Sequence, residues 1–156
     1  MNASNSARLQ RCETQLRGFL DQALQGVAVE AIFEQPASGK WSANEHLAHV
    51  ARQQQIFLGR VDRILREEIP VLPRYSAEED PEWEHWRGLA YKEVAAELAA
   101  GREKLIARFK ALSDTDYQRT GVHSKFGEMS LALWLEFFLV HEAHHLYAVL
   151  QLVQCR

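Results

Sequence analysis

Along four long stretches of this chain, apolar residues recur at intervals of three and four, and no stretch shows convincing strand alternation. The first runs from about Ser6 to Gly26 and carries Leu9, Cys12, Leu16, Phe19, Leu20 and Ala23. The second opens on Trp41 and Ser42, with Glu45 three residues later completing a capping box. It continues through Leu47, Val50, Phe57, Leu58, Val61 and Leu65 until Pro70 stops it. The third spans about Tyr91 to Leu112, with Val94, Leu98, Leu105, Ile106 and Phe109 as its stripe. The fourth starts at Ser130 as N-cap and continues almost to the chain end. A helix with one apolar stripe must bury it against another element, so four of them predict an all-α four-helix bundle over residues 1–156, one domain.

The connections refine this architecture. A Pro-, Ser- and Gly-containing link, Gln35 to Lys40, separates the first helix from the second, and Ser113 to Gly127 is polar and turn-rich. The residues after Pro70 include Pro73, Pro81, Trp83 and Trp86, and this link is too long for adjacent antiparallel helices. It predicts a crossover between the second and third helices, with a short helix inside it. Packing against the bundle is the expected role of the two tryptophans; the alternative is that Trp83, His85 and Trp86 cover the mouth of a site.

Charge and cysteine usage narrow the function classes. The net charge of −3 offers no concentrated positive field for phosphates, so no nucleic-acid partner is expected. Arg63, Arg66, Glu67 and Glu68 read as a solvated helix face. Cys12 falls on an apolar stripe, and neither it nor Cys155 has ligand-spaced partners. No apolar run reaches the ~20 residues that span a bilayer, and the first residues lack the apolar run of a signal peptide. The expectation is a cytoplasmic protein without a membrane segment.

The histidines carry the chemistry. His141 and His145, in HEAHH, stand one turn apart and project from one helical face, where both ring nitrogens can reach one ion at ~2.1 Å. His144 turns away from them. A buried histidine pair without a metal needs separate hydrogen-bond partners for each ring. HEAHH also fits the zinc-protease pattern, with Glu142 as base. The residues after His145 include no His, Asp or Glu to complete such a site, and Ala148 stands where a Gly would. A third ligand is therefore expected upstream, from His46 or His49. Periodicity slightly prefers His46, nearer the centre of the apolar arc, and leaves both open.

The stretch WSANEHLAHV, residues 41–50, resembles the entry to the second helix in the DinB/YfiT-like superfamily, with a Trp-Ser start, a Glu three after the Ser and a metal-binding His eight after the Trp. That last position is His49. The last-helix pair of that superfamily, H-x-x-x-H, is matched by His141 and His145, and the approach LSDTDYQRT, residues 112–120, is also similar. Both histidine motifs occur in order, about ninety residues apart. The chain departs from many relatives at Ala148, where they carry Gln.

The resemblance implies His49, His141 and His145 as ligands of one divalent ion, with zinc, nickel, iron and manganese all compatible with three imidazoles. It also implies enzymes in which the metal activates a low-molecular-weight thiol, since characterised relatives include thiol-dependent transferases and an isomerase. Thiol or water attack on a small electrophilic substrate, as transferase or hydrolase, is the expectation. Glu45, Gln53 and Glu142 are candidate outer residues; Glu45 is first a capping residue and Glu142 a solvated one. The competing class is a non-catalytic bundle with a structural metal or a binding role. DNA binding is suggested only by the superfamily's historical damage-inducible name. Relatives commonly form homodimers, and so this chain is expected to.

Overall fold

Three of the four long helices start where an N-cap side chain accepts from an amide of the first turn. Helix α1 (Ala3–Ala23) opens on Asn2, whose side chain accepts from the Asn5 amide. Short helix α2 (Val29–Phe33) follows, and α3 (Ala43–Arg66) then begins with the capping box of Ser42 and Glu45. In the computed structural model, which describes residues 1–37 and 39–155, the next elements are strand β1 (Val71–Leu72), a 3-10 turn (Ala77–Glu79) and short helix α4 (Trp83–Arg87). Helices α5 (Tyr91–Lys110) and α6 (Asp114–Gln118), strands β2 (Thr120–His123) and β3 (Gly127–Ser130), and α7 (Leu131–Gln154) complete the chain. Ser38, within the expected Gln35 to Lys40 link, and Arg156 lie outside the described residues.

Helices α1, α3, α5 and α7 form the four-helix bundle, with α3 packed most extensively against α5 and α7. The long crossover and its internal helix stand where the sequence places them. Three corrections apply. The expected strand-free chain contains a small three-stranded sheet, β1 parallel to β2 and β2 antiparallel to β3. Strands of two and four residues are too short for alternation to register. Helices α2 and α6 are single turns with the same difficulty. Helix α1 also starts and ends three residues earlier than its apolar stripe suggests, because Asn2 provides the cap.

The core falls into two apolar clusters stacked along the bundle. One contains Leu9, Cys12, Phe57, Val61, Leu105, Phe109, Trp134 and Phe138. The other contains Leu16, Leu47, Val50, Trp83, Trp86, Leu98, Leu146 and Val149. Each long helix contributes one polar residue to the layer between them: Gln15, Gln54, Arg102 and Glu142. The close approach of α3 and α5 at this layer requires Gly101, where a Cβ would sit 2.9 Å from Gln54 Nε2. Glu142 is 1% exposed and pairs with Arg102, so the expected solvated carboxylate is instead a buried ion pair.

The sheet is tied to both site-bearing helices. Trp134 Nε1 of α7 donates to the Gly121 carbonyl at 3.2 Å. Arg119 donates to the Ile64 and Glu67 carbonyls, satisfying the open end of α3. These bonds set the β2–β3 hairpin beside the α3–α7 face. No helix among the described residues is long and apolar enough to cross a membrane.

Candidate metal centre

Helix α3 carries His49 seven residues after its cap, on the side facing α7, and α7 carries His141 and His145 one turn apart. The Nε2 atom of His141 lies 3.5 Å from His49 Nε2 and 3.2 Å from His145 Nε2. One ligand nitrogen from each of the three residues falls within 4.8 Å of the other two. Three nitrogens at ~2.1 Å from one tetrahedral ion stand about 3.4 Å apart. The two measured separations match that value. His141 Nε2 has at most one proton to share between its two neighbours, so a hydrogen-bonded core accounts poorly for this convergence. The donor set fits a divalent cation.

The second ring nitrogens explain how the side chains are aimed. His46 Nδ1 lies 2.9 Å from His145 Nδ1, which turns His145 Nε2 towards the other two rings. The slight preference for His46 as ligand is thereby corrected. A site between two helices sits at the edge of each apolar arc, where His49 lies, and His46 supports His145 from behind. His49 is oriented by packing instead: its ring lies 5.0 Å from Trp41, 5.7 Å from Tyr75 and 6.0 Å from Trp83. Its Nδ1 is buried without a hydrogen-bond partner among the described residues.

Burial, with repulsion from neighbouring rings, pushes these imidazoles well below the ordinary histidine range. His49 falls to about 3, and His46 and His141 to about 4. His145, with four histidine neighbours, falls lower still. All four are neutral at physiological pH, which leaves lone pairs free for a cation.

The remaining candidates separate clearly by position. Glu45 closes the Ser42 capping box and pairs with Arg87 at 2.9 Å, so its carboxylate is engaged by the cap and an arginine. Glu142 is engaged by Arg102 and Gln15. Gln53 is buried, has no hydrogen-bond partner among the described residues, and lines a cavity of about 270 Å³ together with His141. His144 is exposed, as its position on the wheel predicts, and His85 is exposed on α4. Trp83 and Trp86, each 4% exposed, belong to the core.

Sequence reasoning missed the rest of the cavity wall. Arg60 comes from α3, Arg74 and Tyr75 from the crossover, and His123, Lys125 and Phe126 from the hairpin. No local pattern joins three such segments. The Tyr75 hydroxyl donates to Asp80 at 3.0 Å, and burial beside that carboxylate pushes its pKa up, so it remains a neutral wall residue.

Comparisons with known proteins agree with this architecture. The family model for the DinB superfamily matches residues 14–149. YuaE of Bacillus subtilis (strain 168), an uncharacterised protein, is 25% identical over 139 residues, covering 79% of this chain and 83% of its own. YfiT from Bacillus subtilis, described as a probable metal-dependent hydrolase with an unusual four-helix bundle topology, superposes with a TM-score of 0.80. At 18% identity, over 97% of this chain and 87% of that one, this likeness concerns the fold. With a family match across residues 14–149 of 156, a shared bundle and three histidines close enough to hold a metal, the chain belongs to the DinB superfamily.

Proposed function

We propose that this protein is a metal-dependent enzyme that holds one divalent cation through His49, His141 and His145 and promotes attack by water or a low-molecular-weight thiol on a small electrophile. The observation that carries this reading is the convergence of the His49 and His145 Nε2 atoms on that of His141, at 3.5 and 3.2 Å, with His141 also lining a cavity that has exposed residues at its rim. Three protein ligands leave coordination open to other molecules, which separates catalytic from closed structural sites. Three imidazole nitrogens suit zinc, nickel, iron or manganese alike. YfiT's description as a probable metal-dependent hydrolase supports water as the attacking group.

When bound, the cation supplies Lewis acidity, polarising a substrate oxygen and lowering the pKa of a water or thiol near it. The protein's own residues do the rest. Neutral rings offer their lone pairs without first losing protons, and the His46–His145 contact keeps one ring from turning. The Gln53 amide, beside His141 and otherwise unpaired, orients the polar end of a substrate. The proposed partner in solution is a second copy of the chain. Leu133, Val140 and Tyr147 stand exposed at intervals of seven on α7, an apolar stripe suited to helix pairing.

The test is metal content by mass spectrometry of unchelated wild type beside His141→Ala. Wild type is expected to hold about one ion per chain and the variant to lose it. Stoichiometric metal in the variant refutes the ligand assignment. Chelation should lower the melting temperature modestly, since the two apolar clusters are built from side chains that do not ligate the ion. Collapse of the fold on chelation would instead assign the metal a structural role.

A further inference from the structure

The cavity beside His141 holds an excess of positive charge that the net charge of −3 conceals. Arg60, Arg74 and Lys125 all line it, and none has a carboxylate within ion-pair distance among the described residues. Most cations elsewhere in the bundle are paired: Arg52 with Asp80, Arg63 with Glu67, Arg102 with Glu142 and Arg108 with Asp62. Arg60 is the deepest of the three. Its guanidinium lies 5.4 Å from the Trp134 ring and makes one hydrogen bond, from Nη2 to the Pro73 carbonyl at 2.7 Å. Four of its five N–H groups are left without a protein acceptor. Burial that no carboxylate relieves holds its pKa below the usual arginine range.

His123 adds a neutral donor at the same wall. Its Nδ1 accepts from the backbone amides of Lys125 and Phe126 at 3.0 and 3.3 Å, which places the ring proton on Nε2. Burial and the charges of Arg60, Lys125 and Arg74 hold the pKa of this 4%-exposed ring below the ordinary histidine value. Much of the remaining lining is aromatic: Phe57, Trp134, Phe137 and Phe138. A volume of about 270 Å³ accepts one ring and a short chain, and excludes a nucleotide.

We infer that the cavity binds small molecules with an aromatic or branched apolar body ending in an oxyanion, received by the Arg60 guanidinium and the His123 Nε2–H. Calling such a molecule the substrate rests on the metal reading above, because the oxyanion end lies on the same cavity wall as His141. The binding itself does not. A planar, delocalised guanidinium with free donors suits a carboxylate or phosphoryl group better than a halide. Arg74 and Lys125, exposed at the rim, add attraction on entry.

The test is titration calorimetry of metal-free, chelator-treated protein with 3-phenylpropanoate, its neutral amide 3-phenylpropanamide, and phenyl phosphate. The propanoate is expected to bind at least about tenfold more tightly than the amide. Arg60→Met should abolish that preference; Arg60→Lys should keep part of it. The propanoate-to-amide ratio is internal to each variant, so altered stability does not mimic the effect. The tighter of the two anions identifies the group the site receives. Equal affinity for propanoate and amide in wild type overturns the inference. So does a preference that survives Arg60→Met, or one that appears only when metal is restored. Anion binding that persists in His141→Ala while metal is lost shows the two sites to be separate. Unchelated wild type that carries no metal by mass spectrometry, yet keeps the anion preference, would sink the metal reading alone.

Discussion

Arg102→Met should destabilise the protein by about 3–5 kcal/mol, because it leaves a carboxylate buried without its counter-charge. The Arg102 side chain is 8% exposed and that of Glu142 is 0% exposed. Arg102 also donates from Nε to Gln54 Oε1 and from Nη1 to the Cys12 carbonyl, both at 2.9 Å. After substitution, Gln15 alone among the described residues still donates to Glu142. For a chain of this size the loss corresponds to a fall of about 6–20 °C in melting temperature. Burial already raises the Glu142 pKa, and Arg102 opposes that shift. Without Arg102 the folded-state pKa rises further above its unfolded value. The penalty should therefore be largest at pH 7.5 and shrink as pH falls towards the raised pKa, where the buried carboxyl is protonated. The double variant Arg102→Met, Glu142→Leu removes both charges and should recover at least half of the loss. Thermal melts of chelator-treated wild type, the single variants and the double variant, at pH 7.5 and 5.5, make the measurement. A single-variant cost under about 1 kcal/mol, or a double variant no more stable than Arg102→Met, would refute the reasoning.

Two further outcomes are expected. His46, His49 and His141 fold with pKa values of about 4, 3 and 4, below the ~6.5 of an unfolded chain, so unfolding takes up protons below that pH. Stability of the metal-free protein should be full above pH 6.5 and fall as pH drops towards 4, by at most about 1.4 kcal/mol per pH unit for each histidine; a flat urea-melt series from pH 7.5 to 5.5 would contradict it. Tyr147→Glu, on the exposed α7 stripe, should convert a dimer to a monomer by light scattering without changing the melting profile of the metal-free chain. A wild type that is monomeric at high concentration would exclude the pairing.

Local signals in the chain transfer to the structure almost unchanged. Ser42 with Glu45, and Ser130, cap the helices they precede, because a cap involves residues three apart. His141 and His145 meet because a helix turn sets their spacing. What could not be read depends on partners distant in the chain. Glu142 looks like a solvated charge until Arg102, 40 residues away, is seen against it. His46 looks better centred than His49 because the wheel measures direction towards the core of one helix. The site, however, belongs to the seam between α3 and α7.

Electrostatics shows the same limit most sharply. A net charge of −3 is a sum over the whole chain, whereas a binding site responds to charge within about one Debye length. Arg60, Arg74 and Lys125 come from a helix, a crossover and a hairpin turn, and none is near the others in sequence. Carboxylates elsewhere pair with other cations and leave these three unmatched. An acidic composition therefore argues against an extended polyanion as partner, which must meet the whole surface. It carries no weight against a small anion, which meets only one cavity.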